Sequence, residues 1–101
     1  MSNLPEILHY IGGQPVASRS GETFANLNPA TGETLSKVHV AGTPEIEQAI
    51  AAAKQGFAVW SKMSGTERGR ILNRAVHILR QRNDELARLE VLDTGKPIQE
   101  A

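Results

Sequence analysis

The sequence contains no cysteine and few aromatic residues, and both shortages narrow what these residues can do. Without cysteine, disulfide bonds, thiolate metal sites and a cysteine nucleophile are excluded within residues 1–101. Only four residues are aromatic, so any core must be built mainly from isoleucine, leucine, valine and alanine. Eleven basic and eleven acidic side chains cancel, so the overall charge favours neither nucleic acid nor a membrane as a partner.

The sequence also lacks the segments that direct a protein to a membrane or out of the cell. Its first residues have no basic start followed by an apolar run, and no segment approaches the ~20 apolar residues of a membrane span. A length of 101 residues fits one small domain, and a hydrophobic fraction of 40% is ordinary for globular proteins. We therefore expect a cytoplasmic globular protein.

Two turns predict two β-hairpins in the first 40 residues. Gly12-Gly13 separates two short apolar runs, and a pair of glycines tolerates the positive φ angles of a two-residue hairpin turn. Pro15 has no backbone N–H, which places its strand at the edge of a sheet. The second turn, at residues 28–32, reads Asn-Pro-Ala-Thr-Gly and lies between two strand-like runs. Because a two-stranded ribbon is not stable alone in water, other elements must cover both hairpins.

Capping residues predict where the first two helices begin. Thr43 is the expected N-cap of the first helix, and Pro44 suits its first helical position. Ser64 and Glu67 match a capping box, in which each side chain accepts a hydrogen bond from a backbone N–H of the other residue. The second helix is therefore predicted to begin near residue 65.

A third helix follows, with Asn83 as its expected N-cap, Gly95 as its stop and Pro97 opening the next segment. Residues 98–101 resemble the first turn of a helix that does not continue, so we expect an incomplete domain. All three helices carry apolar stripes at helical spacing, which predict buried faces. These stripes are Ile46, Ala49, Ile50, Ala53, Phe57 and Trp60; Ile71, Leu72, Ala75, Val76 and Leu79; and Leu86, Leu89 and Leu92.

One basic stretch and three histidines are candidates for binding sites. Six basic residues oppose the single acid Glu67 between positions 62 and 82: Lys62, Arg68, Arg70, Arg74, Arg80 and Arg82. They could form the phosphate-binding helix of a small nucleic-acid-binding module or a solvated helix face. We favour the solvated face, because no aromatic residue interleaves the arginines and the net charge is zero. His9, His39 and His77 are too dispersed to indicate a zinc site.

Asp93 is the carboxylate that the sequence singles out. It lies at the end of the predicted third helix, where the helix dipole disfavours a negative charge. It is either a loop acid that bonds nearby backbone donors or a ligand for a hard cation such as K⁺, which takes carboxylate and carbonyl oxygens. The residues alone leave both interpretations open.

Five motifs in order resemble the N-terminal segment of the NAD-dependent aldehyde dehydrogenases, and within that family the bacterial betaine aldehyde dehydrogenases. They are Tyr-Ile-Gly-Gly at 10–13, the turn at 28–32, the helix at 49–60, Arg-Gly-Arg-Ile-Leu at 68–72, and the run from Leu89 to Pro97. The resemblance implies an α/β fold, in which residues 1–101 supply N-terminal β-hairpins and helices of an incomplete cofactor-binding domain.

The resemblance also implies a reaction. In this family a cysteine thiolate attacks the aldehyde carbonyl, hydride passes to NAD, and a glutamate activates the water that releases the acid. The expected substrate is betaine aldehyde and the expected product is glycine betaine. None of the catalytic or cofactor-binding residues of the family falls within residues 1–101, so we expect this fragment to be inactive by itself.

A cation site and a set of partners follow from the same resemblance. The K⁺ ligands of the betaine aldehyde dehydrogenases correspond to Asn26, Leu27 and Asp93, with Leu27 able to contribute only its carbonyl oxygen. The expected partners are the remainder of the subunit and, in the full-length enzyme, further copies in a homotetramer. We expect no nucleic acid and no membrane among them.

Overall fold

The computed structural model describes residues 4–101, which form five short strands, three helices and one 3₁₀ turn. The elements in chain order are β1 (Glu6–Ile7), β2 (His9–Ile11), β3 (Gln14–Val16), β4 (Thr23–Leu27), β5 (Thr34–His39), α1 (Thr43–Trp60), α2 (Gly65–Gln81), α3 (Asn83–Thr94) and the 3₁₀ turn Ile98–Glu100. Within these residues, no helix combines the length and the apolar character needed to cross a bilayer.

The first hairpin has the predicted turn. Gly12 and Gly13 have φ angles of 60° and 80°, the signs that a two-residue hairpin turn requires at both positions. Strands β2 and β3 pair antiparallel, with Tyr10 opposite Pro15. Because this sheet has only two strands, Pro15 lies at an edge, where its missing N–H interrupts no ladder.

The second hairpin pairs β4 with β5 and acquires a third strand. Asn28 holds the turn through its side-chain Oδ1, which accepts from the backbone N–H of Ala30 at 2.9 Å. Strand β1 then pairs parallel with β5, so the sheet order is β1-β5-β4. The sequence did not predict β1, whose two residues are too few to produce a periodic pattern.

The helix starts differ from prediction by one residue at two places. The N-cap of α1 is Gly42 rather than Thr43, because the Glu45 carboxylate reaches back to the Gly42 N–H (Oε1 to N, 2.7 Å). Asn83 is the first residue of α3 and Arg82 is its N-cap, so that prediction was also wrong by one residue. The capping box of α2 is confirmed.

The predicted buried stripes are wrong for this chain taken by itself. No apolar side chain is buried among residues 4–101, and several large ones on the three helices are more than half exposed, such as Phe57 (69%), Leu72 (57%) and Leu89 (55%). The buried side chains are instead polar: Ser18, Ser36, His39 and Glu45. The helices form the predicted amphipathic elements, but the partner for each apolar face is not among the described residues.

The overall dimensions also show that the described chain has no core of its own. The radius of gyration is 17.2 Å, against about 13 Å for a compact domain of this length. The accessible surface is 7986 Å², against about 5,600 Å² for a folded monomer of this mass. The chain therefore exposes about 2,400 Å² more than a self-contained domain would.

Candidate functional site

The structure brings together two of the three residues predicted to bind a cation. Asn26 lies in β4 and Asp93 in the last turn of α3, 67 residues later in the chain. The Asn26 Nδ2 donates to the Asp93 Oδ1 at 2.9 Å. This contact joins the sheet to the end of α3 and leaves the Asp93 Oδ2 and the Asn26 Oδ1 outside the bond.

The end of α3 is fixed by several short contacts around Asp93. Gly95 ends the helix as predicted, with a φ of 75°, and its N–H donates to the Val91 carbonyl at 2.9 Å. A Cβ placed on Gly95 would lie 3.5 Å from Cγ of Pro29, so the helix end lies against the turn of the second hairpin. The two segments that carry the candidate ligands are therefore in contact.

The charge around Asp93 is compatible with a cation ligand. Lys96, three residues away, pairs with Glu90 instead (Nζ to Oε2, 2.8 Å). Among residues 4–101, Asp93 forms no ion pair. No basic side chain of the described chain is therefore placed to compete with a cation for its carboxylate.

The pair of residues opens onto a cavity of about 810 Å³ between the sheet and α3, lined in part by Asn26, Ser36, Leu89 and Asp93. Leu27 is not among its lining residues, and its side chain is 51% exposed. It lies at the bulge where the register between β4 and β5 shifts. No group of three or more His, Asp or Glu side chains placed to hold a metal ion occurs within residues 4–101. A cation here would depend on carbonyl and amide oxygens beside one carboxylate.

A second polar cluster was not predicted, and it contains two of the three histidines. The His9 Nε2 lies 2.9 Å from the Ser18 Oγ, and the Ser18 hydroxyl also bonds the Val40 carbonyl. The Ser18 N–H donates to the His39 Nδ1 at 3.0 Å, and the His39 Nε2 lies 2.8 Å from the Glu6 Oε1. The only signal that could have found it is weak: a histidine at the start of β2, a histidine at the end of β5 and a serine in the loop after β3.

Glu45 extends this cluster from α1. Its carboxylate accepts from the backbone N–H of Gly42 and, at 3.2 Å, from that of Arg19. The hydrogen bond from Gly42, and then that from Arg19, lower the pKa of Glu45 below its ordinary value. The side chain thus binds the start of α1 to the loop between β3 and β4.

The basic residues of the region 62–82 lie on or next to α2, whose side chains are mostly exposed. Arg82 pairs with Glu85 (Nη2 to Oε2, 2.7 Å), which raises the pKa of Arg82 and lowers the pKa of Glu85. No other arginine forms an ion pair in the described part of the chain. The solvated face and the phosphate-binding helix both stay predictions.

Comparison with known proteins identifies the class. The profile of the aldehyde dehydrogenase family matches residues 16–101, and this chain belongs to that family. A curated relative, betaine aldehyde dehydrogenase of Vibrio vulnificus strain YJ016, is 57% identical over 93 residues, which are 92% of this chain and 19% of the relative. The chain therefore spans about a fifth of the length of the curated relatives it matches.

Solved structures agree with the fold. HpcC from Thermus thermophilus is 41% identical with a TM-score of 0.89, over 94% of this chain and 18% of that one. The NAD⁺ complex of an aldehyde dehydrogenase from Bacillus cereus is 36% identical with a TM-score of 0.87, over 93% of this chain and 20% of that one. The predicted α/β arrangement of hairpins and helices is thereby confirmed.

Proposed function

We propose that residues 1–101 are the N-terminal part of the cofactor-binding domain of an NAD-dependent aldehyde dehydrogenase that oxidises betaine aldehyde to glycine betaine. The observation that carries the proposal is the 57% identity to a betaine aldehyde dehydrogenase across 93 residues. In this proposal the nucleophile, the base and the NAD-binding residues belong to the remainder of the subunit. The fragment supplies structure rather than chemistry.

The exposed surface supports the remainder of the subunit as the partner. About 2,400 Å² of extra surface is three times the ~800 Å² that one partner contributes to a standard interface. The apolar stripes of the three helices must be covered on several sides of the chain, and the remainder of the same subunit could cover them all. Assembly of complete subunits into a homotetramer, and a cytoplasmic location without nucleic-acid or membrane partners, complete the proposal.

We also propose a K⁺ site at Asn26, Leu27 and Asp93. Its support is the contact between Asn26 and Asp93 and the absence of an ion pair on Asp93 within residues 4–101. The oxygens that fit a hard cation are the Asp93 carboxylate, the Asn26 amide and the Leu27 carbonyl. A bound K⁺ would neutralise the charge at the C-terminal end of α3, where the helix dipole disfavours it.

The test measures NADH production by the full-length polypeptide that carries these residues, with betaine aldehyde and other aldehydes as substrates. Betaine aldehyde should have the highest kcat/KM, and exchanging K⁺ for a large organic cation should lower the activity. Asp93→Asn should lose most of this K⁺ dependence. Asp84→Asn is the matched control, because Asp84 lies in the first turn of the same helix and should keep the dependence.

Each negative result would contradict a different part of the proposal. Preference for an unrelated aldehyde would overturn the substrate while keeping the family. Equal K⁺ dependence in Asp93→Asn and the unmodified protein would remove the cation site alone. NADH production by the isolated 101 residues would contradict the assignment of catalysis to the remainder of the subunit.

A further inference from the structure

The hydrogen bonds around Ser18 determine where each hydrogen lies. The Ser18 hydroxyl has one hydrogen, which it donates to the Val40 carbonyl, so it accepts from the His9 Nε2–H. The Ser18 backbone N–H donates to the His39 Nδ1, which therefore carries no hydrogen. The His39 Nε2–H then donates to the Glu6 carboxylate. In this arrangement the His39 Nδ1 is an acceptor and its Nε2 is a donor.

The two histidines differ in what a second ring proton would do. His9 uses only its Nε2–H here, and that hydrogen is present in both the neutral and the charged ring. A proton on the His39 Nδ1 would instead face the Ser18 N–H, donor against donor. Ser18 is 7% exposed, so water cannot readily replace the lost acceptor. The bond to Glu6 would survive, because the Nε2–H is unchanged.

Charged groups surround His39 from several elements. Glu6 faces it from β1, and the His9 ring meets it edge to face from β2, with 6.3 Å between ring centroids. Glu45 of α1 holds the neighbouring Arg19 N–H. Lys37 lies two residues earlier in β5, on the same side of the strand. The Glu6 carboxylate can accept from the Nε2–H in either state of the ring, whereas the Ser18 N–H can bond only a ring that has no hydrogen on Nδ1.

We propose that His39 is a proton-controlled latch for the loop of residues 17–22: its ring accepts from the Ser18 backbone N–H while the Nδ1 has no hydrogen, and it releases that N–H when the Nδ1 gains a proton. The loop joins hairpin β2–β3 to strand β4, and the Ser18 hydroxyl still bonds the Val40 carbonyl, so the loss of the N–H bond loosens the loop without detaching it. The Glu45 carboxylate, which binds Arg19, is a second anchor that persists at the pH where histidine changes charge. Acidification therefore frees the Ser18 backbone N–H while the Arg19 N–H stays bound to Glu45.

The test is amide hydrogen exchange in the full-length polypeptide, resolved to single residues and corrected for intrinsic rates. Between about pH 8 and about pH 5.5, the range in which histidine changes charge, the Ser18 amide should lose protection about tenfold, the factor that corresponds to the loss of one hydrogen bond. The Lys37 amide, which donates to the Pro5 carbonyl at 3.0 Å, should keep its protection, because the β1–β5 pairing does not depend on the neutral ring.

Three variants separate the latch from other causes. His39→Asn retains an oxygen acceptor for Ser18 and should make its protection independent of pH. His9→Gln retains a donor for the Ser18 hydroxyl and should leave the pH response intact, as should His77→Gln on the exposed face of α2. The proposal is overturned by pH-independent protection in the unmodified protein, by a response that persists in His39→Asn, or by equal loss of protection at Lys37.

Discussion

Glycine-to-alanine substitutions at Gly95 and Gly69 should have opposite effects on local stability, because only Gly95 of the two has a positive φ angle. Gly95 has a φ of 75°, where an added Cβ crowds the following carbonyl and costs about 1–2 kcal/mol. The added methyl would lie 3.5 Å from Pro29, an ordinary contact, so the backbone sets the cost. Gly69 is inside α2 with nothing within 4 Å of the position that an alanine methyl would take, and alanine there stabilises the helix by about 0.5–1 kcal/mol.

Amide hydrogen exchange in the full-length polypeptide measures both changes locally. Gly95→Ala should speed exchange at position 95, whose N–H bonds the Val91 carbonyl, by about 5- to 30-fold. Gly69→Ala should slow exchange in the surrounding turns of α2 by about 2- to 5-fold. Gly95→Asn should be milder than Gly95→Ala, because asparagine tolerates the left-handed region better.

The explanation is tested by whether the two substitutions shift hydrogen-exchange protection in opposite directions. If Gly95→Ala and Gly69→Ala shift protection in the same direction, the left-handed end of α3 is not what gives Gly95 its role. Because Asp93 lies two residues before this helix end, Gly95→Ala should also weaken the response of activity to K⁺, whereas Gly69→Ala should not.

Three further predictions concern a carboxylate, a helix cap and the isolated chain. Because the pKa of Glu45 is lowered in the folded chain, its carboxylate stabilises the fold above the ordinary carboxyl range, and this stabilisation is lost as the pH falls through the lowered pKa. The Arg19 amide should lose hydrogen-exchange protection over that pH range, and Glu45→Gln should not show this loss. Ser64→Ala should cost the α2 cap about 1 kcal/mol and Ser64→Asp much less, seen as helicity of a peptide of residues 62–82 by circular dichroism. The isolated 101 residues should bind a hydrophobic dye and melt without a cooperative transition; a sharp monomeric melt would contradict the missing core.

The features that sequence predicted well are those whose cause lies within a few residues. The Gly12-Gly13 turn, the Ser64–Glu67 capping box and the stop at Gly95 each depend on local φ angles or on a side chain meeting its own backbone. The N-cap of α1 was missed because Thr43 is a good cap by residue type, whereas the Glu45 carboxylate supplies the hydrogen bond at Gly42. Residue type alone does not show whether the helix is capped at Thr43 or at Gly42.

Contacts between distant segments could not be obtained from periodicity. Strand β1 pairs with β5 across more than 25 intervening residues, and the contact of Asn26 with Asp93 spans 67 positions. The residues alone left a cation role for Asp93 open, whereas Asn26 and Leu27 were expected as ligands only because of resemblance to a family. The Ser18–His39 contact, 21 positions apart, was missed for the same reason.

The apolar stripes show most clearly what an amphipathic pattern does and does not predict. Period 3.6 indicates that a helix has a face to bury, and α1, α2 and α3 all form, but the pattern says nothing about which polypeptide covers that face. Here the described residues bury only polar side chains, while Ile50 and Leu79 remain 52% and 55% exposed. Hydrophobic burial is the main favourable term in folding, so helices with this exposure depend on further packing for stability. Removing the covering polypeptide should therefore loosen all three helices, because their apolar faces would be left in water.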